Sequence, residues 1–88
     1  MKDITIYTID SCPYCKKAEE LLEKKGLKYK KIDITNNEEE YRKRIGEYYK
    51  IEGRVTVPQI IIGNKRLGGC DNLYDLNETG KLDELLKE

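Results

Sequence analysis

Two cysteines separated by two residues, in Ser11-Cys12-Pro13-Tyr14-Cys15, are the side chains of this sequence best suited to chemistry. They follow a short apolar run and precede residues with helical spacing. A Cys-x-x-Cys pair in this position is typical of a reversible dithiol, although the same spacing also supplies half of a zinc site. The neighbouring residues must therefore distinguish redox chemistry from metal binding.

Cys12 is predicted to lie where the chain enters a helix, because Pro13 suits the first helical turn. A sulfur in that position faces unpaired backbone N–H groups and the positive end of the helix dipole, and both favour the thiolate. The helix end contributes up to ~2 kcal/mol, and each amide bond to a charged sulfur ~1.5 to 3 kcal/mol. We predict that Cys12 is the nucleophile and that Cys15, one turn further on, closes a disulfide with it.

The chain contains no histidine, which excludes Cys-His proteases, Cys₂His₂ zinc fingers and an imidazole base for the thiol. A structural zinc site needs four ligands, and only Cys70 remains as a further sulfur. We therefore predict no bound metal, while zinc binding and a cluster shared between two chains remain open as alternatives.

Lys and Arg together number 17, as do Asp and Glu, so the formal net charge is zero. No overall field draws the chain toward nucleic acid or an anionic membrane. The first residues lack the apolar stretch of a secretory signal, and no segment has the ~18 apolar residues of a membrane span. We expect one domain over residues 1–88, acting as a cytoplasmic monomer without nucleic-acid or membrane partners.

The elements that must position the cysteines begin with a strand, a helix and a second strand. A β-branched run ends near Thr8, and apolar spacing predicts a helix of about 13 residues from Pro13. Leu27–Ile34 is predicted as the second strand. This order forms a right-handed βαβ unit with parallel strands.

The rest of the chain is predicted to extend the same sheet. Asn36 or Asn37 is expected to cap a helix that ends near Gly53. A hairpin is predicted over residues 59–67, and Gly80 divides the tail into two short helices. The resulting order, β-α-β-α-β-β-α, predicts an α/β fold with a four-stranded mixed sheet flanked by helices.

Pro58, in Val55-Thr56-Val57-Pro58, opens an apolar strand, where proline is tolerated only at a strand start or an edge. A cis peptide bond there would turn the preceding backbone outward. The N–H and C=O of Val57 could then pair with an extended peptide. Without the dithiol, a proline that merely starts a strand would be the preferred interpretation.

A third motif, Gly68-Gly69-Cys70-Asp71-Asn72, combines two glycines with the start of a short helix. The glycines allow close backbone approach, and the N–H groups that follow suit a carboxylate. Taken alone, the motif is only a turn and a helix cap, and Cys70 is expected to be a small, partly buried thiol.

Together these motifs resemble those of the dithiol glutaredoxins, in the same order and over nearly the whole chain. Cys-Pro-Tyr-Cys is the usual active-site tetrapeptide of that family, Thr-Val-Pro carries its cis-proline, and Gly-Gly-Cys-Asp matches its glutathione-binding turn. The resemblance implies a thioredoxin-like fold and glutathione-dependent reduction of disulfides, above all protein–glutathione mixed disulfides.

The resemblance also implies roles for individual residues. Cys12 would attack the glutathione sulfur, and either a second glutathione or Cys15 would resolve the adduct. Glutathione would act as co-substrate, with no tightly bound cofactor, and the protein partners would be glutathionylated or disulfide-containing. The residues that would bind glutathione are Tyr14, Thr56, Val57, Pro58, Gly69, Cys70, Asp71 and Asn72.

Two positions depart from the family pattern. Ile9 stands where many glutaredoxins carry a lysine for the glycyl carboxylate, and Asn72 stands where a carboxylate would help to hold the γ-glutamyl ammonium. Each exposed charge contact is worth under ~1 kcal/mol, so glutathione binding should weaken by no more than roughly thirtyfold. Lys16 or the basic run Arg42-Lys43-Arg44 could supply a replacement cation.

Two other functions remain open. The first is a redoxin of the same fold that takes its electrons from a thioredoxin reductase. The second is a module that holds an iron–sulfur cluster between two chains, with Cys12 and glutathione as ligands. Pro13 and Cys15 argue against the cluster, because cluster-binding members more often have a looser or monothiol motif.

Overall fold

Four strands form one mixed sheet: β1 (Ile4–Thr8), β2 (Lys30–Asp33), β3 (Gln59–Ile62) and β4 (Lys65–Gly68). Their order across the sheet is β2-β1-β3-β4. Strand β1 runs parallel to β2 and antiparallel to β3, and β3 runs antiparallel to β4. The structure, a computed structural model, describes residues 2–87. It confirms the predicted four-stranded mixed sheet.

Four helices flank this sheet: α1 (Pro13–Lys24), α2 (Glu38–Tyr49), α3 (Cys70–Glu78) and α4 (Lys81–Lys87). One turn of 3₁₀ helix, Thr35–Asn37, precedes α2. Gly80, with φ +78°, separates α3 from α4, as predicted for the tail. Between Lys2 and Lys87, no helix has the length and apolar character needed to cross a membrane.

Strand β2 is shorter than the predicted Leu27–Ile34, because Leu27 closes the end of α1 and does not join the sheet. The Leu27 N–H donates to the carbonyl of Leu22 at 2.9 Å, and Gly26 takes a left-handed φ of +70°. Such a helix end reverses the chain direction. Pairing with β1 therefore begins only at Lys30.

Helix α2 ends at Tyr49, before the predicted end near Gly53. Lys50 adopts a left-handed φ of +55°, and the Ile51 N–H returns to the carbonyl of Gly46 at 2.9 Å. The helix therefore stops at a local cap that its apolar spacing does not reveal.

The start of α2 lies where it was predicted, directly after Asn37. Asn37 occupies the cap position, but its side chain makes no capping hydrogen bond. Its backbone N–H instead donates to the carbonyl of Ile34 at 2.9 Å, within the 3₁₀ turn. The predicted cap position is therefore confirmed at Asn37, although its side chain does not make the cap, since the preceding turn leads directly into the helix.

The main core lies between one face of the sheet and helices α1, α3 and α4. Ile6, Leu22, Ile60, Leu73 and Leu82 are completely buried there. Tyr7 of β1 lies on the opposite face, where its ring centroid is 6.2 Å from that of Tyr41 in α2. The central strand β1, which leads into the dithiol, is thus packed on both faces.

Replacing Leu22 with alanine should lower the free energy of unfolding by about 2–5 kcal/mol, since it leaves a cavity in the core. Lys24→Ala, on the exposed side of the same helix, should change it by less than about 0.5 kcal/mol. Urea unfolding followed by circular dichroism measures both values. Equal losses for the two variants would contradict the packing described here.

Candidate active site

Cys12 stands at the junction between β1 and α1. It is the N-cap residue of α1, with extended backbone angles, and Pro13 is the first helical residue. The turn before it includes Ser11 at a left-handed φ of +58°. The N–H of Asp10 in this turn donates to the Thr35 Oγ1 at 2.9 Å. The strand, the turn and the helix therefore fix the direction in which the Cys12 side chain points.

Thr35 is itself held by Asp33 at the end of β2. The backbone N–H and the hydroxyl of Thr35 donate to Asp33 Oδ1 at 2.9 Å and 2.5 Å. These two hydrogen bonds lower the pKa of the Asp33 carboxyl. The ionised Asp33 carboxylate thus holds Thr35, which in turn holds the turn that precedes the dithiol.

Cys12 and Cys15 are joined as a disulfide, with their Cα atoms 5.2 Å apart. The N–H of Cys15 donates to the Cys12 Sγ at 3.2 Å, so the cap acceptor of this helix is a sulfur. Cys12 is 8 % exposed and Cys15 is 1 % exposed. The nucleophilic role of Cys12 stays a prediction, but Cys12 is the more accessible of the two residues.

The peptide bond between Val57 and Pro58 is cis. Both carbonyls that precede Val57 are held by side chains: Arg42 Nη1 donates to the Val55 carbonyl, and Gln59 Nε2 donates to the Thr56 carbonyl at 2.8 Å. Within residues 2–87, Val57 makes no hydrogen bond through its own N–H or C=O. Its backbone is therefore available to an extended ligand.

The glycine-rich turn begins helix α3, with Gly69 as the N-cap. Asn72 Oδ1 accepts a hydrogen bond from the Gly69 N–H at 3.0 Å. Gly68 has φ +119°, and a Cβ there would lie 2.5 Å from the same Asn72 oxygen. The turn thus requires glycine at position 68 and an acceptor at position 72.

A cavity of about 350 Å³ joins these segments next to the dithiol. Its lining is formed by Tyr14, Thr56, Val57, Pro58, Gly69, Cys70, Asp71 and Asn72. The structure therefore brings together all eight residues that the resemblance implied for glutathione. Their role in binding stays a prediction at this point.

Neither Cys12 nor Cys15 lines this cavity; Tyr14, between them in sequence and 58 % exposed, connects it to the dithiol. A second cavity of about 390 Å³ adjoins it through Tyr14, Cys70 and Asp71. Cavities of similar or larger size lie elsewhere on the surface. Proximity to the dithiol, and not size, is what distinguishes the candidate site.

The positive charge near the site is sparse. Lys17 Nζ lies 5.7 Å from the centre of the Tyr14 ring. Arg42 and Arg44, considered above as replacement cations, are paired with Glu38 and Glu40 along α2. Ile9 is half-buried and brings no charge. Lys16, exposed in the first turn of α1, and Lys43, exposed on α2, remain the candidates for a replacement cation.

Cys70 is the free cysteine of the described residues, and it is buried. Burial raises the pKa of its thiol; the Asp71 carboxylate raises it further, while Lys17 opposes the shift. The thiol form of Cys70 is therefore favoured at neutral pH, which distinguishes it from a reactive cysteine.

Several residues that shape the site escaped the sequence analysis. Thr35 holds the turn before the dithiol. Gln59 and Arg42 hold the segment that lines the cavity, through the carbonyls of Thr56 and Val55. The spacing Asp33-Ile34-Thr35 is a local signal for the first of these contacts. The contact of Arg42 joins residues 13 positions apart, and no local pattern indicates it.

Comparison with known proteins agrees with this geometry. The glutaredoxin family model matches residues 4–67. The chain is 46 % identical over 84 residues to glutaredoxin 1 of Rickettsia prowazekii, covering 96 % of this chain and 86 % of the relative. It is 44 % identical over 87 residues to glutaredoxin 3 of Escherichia coli K12, covering 99 % and 100 %.

Solved structures show the same fold. The solution structure of a Brucella melitensis glutaredoxin has a TM-score of 0.78 at 47 % identity, covering 99 % of this chain and 90 % of that one. A buckwheat glutaredoxin–glutathione complex has a TM-score of 0.85 at 24 % identity, covering 98 % and 77 %, and supports the fold alone. The dithiol, the sheet and these relatives lead to one conclusion: the chain belongs to the glutaredoxin family of thiol–disulfide oxidoreductases.

Proposed function

We propose that this glutaredoxin uses glutathione to reduce protein–glutathione mixed disulfides and protein disulfides through Cys12 and Cys15. The observation that supports the proposal most is the cavity beside the dithiol, in which the unpaired backbone of Val57 lies opposite the turn that begins α3. This arrangement suits an extended peptide with a charged end.

Glutathione fits this description chemically. The N–H and C=O of Val57 would pair with its cysteinyl residue, as a strand pairs with its neighbour. Backbone N–H groups at the start of α3 would receive the γ-glutamyl carboxylate, which the helix dipole also favours. Tyr14 would flank the tripeptide. The ligand sulfur would then be directed toward Cys12.

The first step is a thiol–disulfide exchange. The Cys12 thiolate attacks the glutathione sulfur of the mixed disulfide, a new bond forms between the two sulfurs, and the protein thiolate leaves and takes up a proton. The start of α1 supports this step, because the N–H of Cys15 already points at the Cys12 sulfur. A negative sulfur would strengthen that hydrogen bond.

Two routes complete the cycle. A second glutathione thiolate attacks the adduct and releases oxidised glutathione together with the Cys12 thiolate. Alternatively, Cys15 attacks the Cys12 sulfur, expels glutathione and forms the Cys12–Cys15 disulfide, which two glutathione molecules then reduce. The bonded pair in the structure corresponds to the product of this second route.

We further propose that the protein works as a cytoplasmic monomer, with glutathione as its co-substrate and no tightly bound cofactor. The cytosol keeps thiols reduced through glutathione and thioredoxin systems, so either could supply the electrons. Coupled assays with glutathione and its reductase, and separately with a thioredoxin reductase, test the source. Turnover with the thioredoxin reductase, together with no turnover with glutathione, would contradict glutathione dependence.

Replacing each cysteine separately tests the assigned roles. Cys12→Ser should abolish all thiol transfer, because no nucleophile remains at the helix start. Cys15→Ser should keep the release of glutathione from a glutathionylated peptide and lose the reduction of an intramolecular protein disulfide. Mass spectrometry of the adducts and a coupled assay measure both activities. A more reactive Cys15 would reverse the assignment.

Restoring the two missing charges should tighten glutathione binding. Ile9→Lys and Asn72→Asp should each lower the KM for a glutathionylated peptide by up to about fivefold, and together by no more than about thirtyfold. The Asn72→Asp change retains an oxygen acceptor for the Gly69 N–H. The neutral variant Ile9→Met serves as the control, and an equal gain from it would contradict a charge effect.

Cys70 should take no part in the exchange, since its raised pKa keeps the thiol protonated. In a Cys12→Ser/Cys15→Ser protein, iodoacetamide should modify Cys70 more slowly at pH 7.5 than it modifies free cysteine. The rate should rise with pH through a midpoint above that of free cysteine, because only the thiolate reacts. A midpoint below free cysteine would contradict the environment described for Cys70.

A further inference from the structure

We propose that the second cavity beside the dithiol receives the polypeptide part of a glutathionylated substrate and favours substrates with an arginine near the modified cysteine. The inference rests on the proposed function and deepens it by naming a class of substrate. Glutathione would occupy the first cavity, the one that contains the backbone of Val57. The substrate chain would lie in the second.

The second cavity continues the first along the groove between helices α1 and α3. It measures about 390 Å³ and is lined by Tyr14, Lys17 and Glu20 of α1 and by Cys70, Asp71 and Tyr74 of α3. Tyr14, Cys70 and Asp71 also line the cavity proposed for glutathione. Three other cavities of similar or larger size share no lining residue with that cavity. The first and second cavities therefore form one continuous surface next to the dithiol.

The substrate chain has to begin close to this surface. In the mixed disulfide, the glutathione sulfur is bonded to the cysteine sulfur of the substrate. With the tripeptide in the first cavity and Cys12 at the start of α1, the chain that carries the leaving sulfur would begin beside Tyr14. The second cavity starts at this same exposed side chain. A substrate chain that passes Tyr14 therefore enters the second cavity.

The length of the groove sets how far the arginine lies from the modified cysteine. Glu20 follows Tyr14 by six residues in α1, which corresponds to about 9 Å along a helix. An extended chain covers about 10 Å in three residues. A side chain within three positions of the modified cysteine could therefore reach Glu20.

The walls of the second cavity are held in place by the rest of the fold. Ala18 and Leu22 of α1 and Leu73 of α3 are completely buried in the main core. The hydroxyl of Tyr74 donates to the carbonyl of Lys17 at 3.2 Å, which joins α3 to α1 at the cavity itself. The cavity is thus formed without a substrate, and a preformed site loses less conformational freedom on binding.

The charges on the cavity walls favour a cation. Lys17 contributes one positive charge, and Glu20 and Asp71 contribute two negative charges. Within residues 2–87, none of these three side chains forms an ion pair. Lys17 and Asp71 have opposite effects on the pKa of the Cys70 thiol between them. Glu20 therefore remains as the carboxylate that a basic substrate side chain would neutralise.

Arginine suits this lining better than lysine does. Its guanidinium is planar, bonds a carboxylate through two N–H groups and stacks on aromatic rings. The cavity offers the Glu20 carboxylate together with the rings of Tyr14 and Tyr74. Lys17 Nζ already lies 5.7 Å from the centre of the Tyr14 ring, so the Tyr74 ring is the one left for the substrate.

The test compares glutathionylated peptides that differ at one residue. A reference peptide carries alanine at the three positions on either side of its cysteine, and arginine or glutamate replaces each alanine in turn. Cys12 takes up the glutathione, and the peptide leaves as a thiol. A second glutathione then releases oxidised glutathione, which glutathione reductase reduces with NADPH. The consumption of NADPH gives kcat/KM for each peptide.

The best arginine peptide should have a kcat/KM about fivefold above that of the alanine peptide, as expected for one exposed ion pair with an aromatic contact. Glutamate at the same position should lower kcat/KM. Equal values for all peptides would overturn the inference. The arginine preference should also decrease as sodium chloride is added, because salt screens exposed charges. A preference that salt leaves unchanged would contradict the role of charge.

Two variants of exposed residues in α1 locate the preference. Glu20→Gln should reduce it to about twofold or less, whereas Lys17→Gln should increase it, because the opposing cation is removed. Both variants should leave kcat/KM for the alanine peptide unchanged. A weaker preference in Lys17→Gln would contradict the charge balance described for the cavity.

Glu78→Gln is the matched control for Glu20→Gln. It makes the same change in net charge at the exposed end of α3, outside the second cavity. The control should keep the arginine preference in full. If Glu78→Gln lowers the preference as much as Glu20→Gln does, the effect comes from net charge and the inference is overturned.

The alanine peptide separates failure of this inference from failure of the proposed function. If glutathione supports turnover of none of the peptides, the proposed function is wrong. If the alanine peptide is turned over and arginine brings no gain at any position, only the role of the second cavity is wrong.

Discussion

The hydrogen bond from the Cys15 N–H to the Cys12 sulfur is the interaction on which the rest of the site depends. Helix N-termini leave backbone donors unpaired, and an oxygen from Ser, Thr or Asp commonly accepts from them. Here the acceptor is a sulfur whose affinity for those donors increases when it becomes a thiolate. One atom therefore caps the helix and, in the proposed mechanism, also serves as the charged nucleophile.

Three connecting segments complete the site, and each is held by a side-chain hydrogen bond. Thr35 supports the turn before Cys12, Arg42 and Gln59 support the segment before Val57, and Asn72 supports the turn at Gly69. In each contact, a side chain forms a hydrogen bond with a backbone N–H or C=O group of the segment. The backbone of Val57 remains free for a ligand as a consequence of how its neighbours are satisfied.

Much of this arrangement could be predicted from the sequence, because its signals are local. Pro13 after Cys12, the glycines before Cys70 and the apolar spacing of the elements each determine the backbone near themselves. Leu27, Lys50 and Asn37 were less predictable, since the ends of a helix depend on backbone turns that many residues can adopt. The contact between Arg42 and Val55 depends on how α2 packs against a loop, and periodicity carries no information about it. The sequence indicates only a lost charge at Asn72, whereas in the structure its side chain accepts a hydrogen bond from the Gly69 N–H.

The central claim is that the start of α1 makes Cys12 a thiolate without help from an imidazole. The most direct test is the ultraviolet absorbance of the thiolate, followed as a function of pH in a Cys15→Ser/Cys70→Ser protein in which Cys12 is the one remaining thiol. We predict a midpoint well below that of free cysteine, with the reactivity toward a glutathionylated peptide rising through the same pH range. A midpoint at or above that of free cysteine would contradict the account, because the helix start would then not stabilise the charged sulfur.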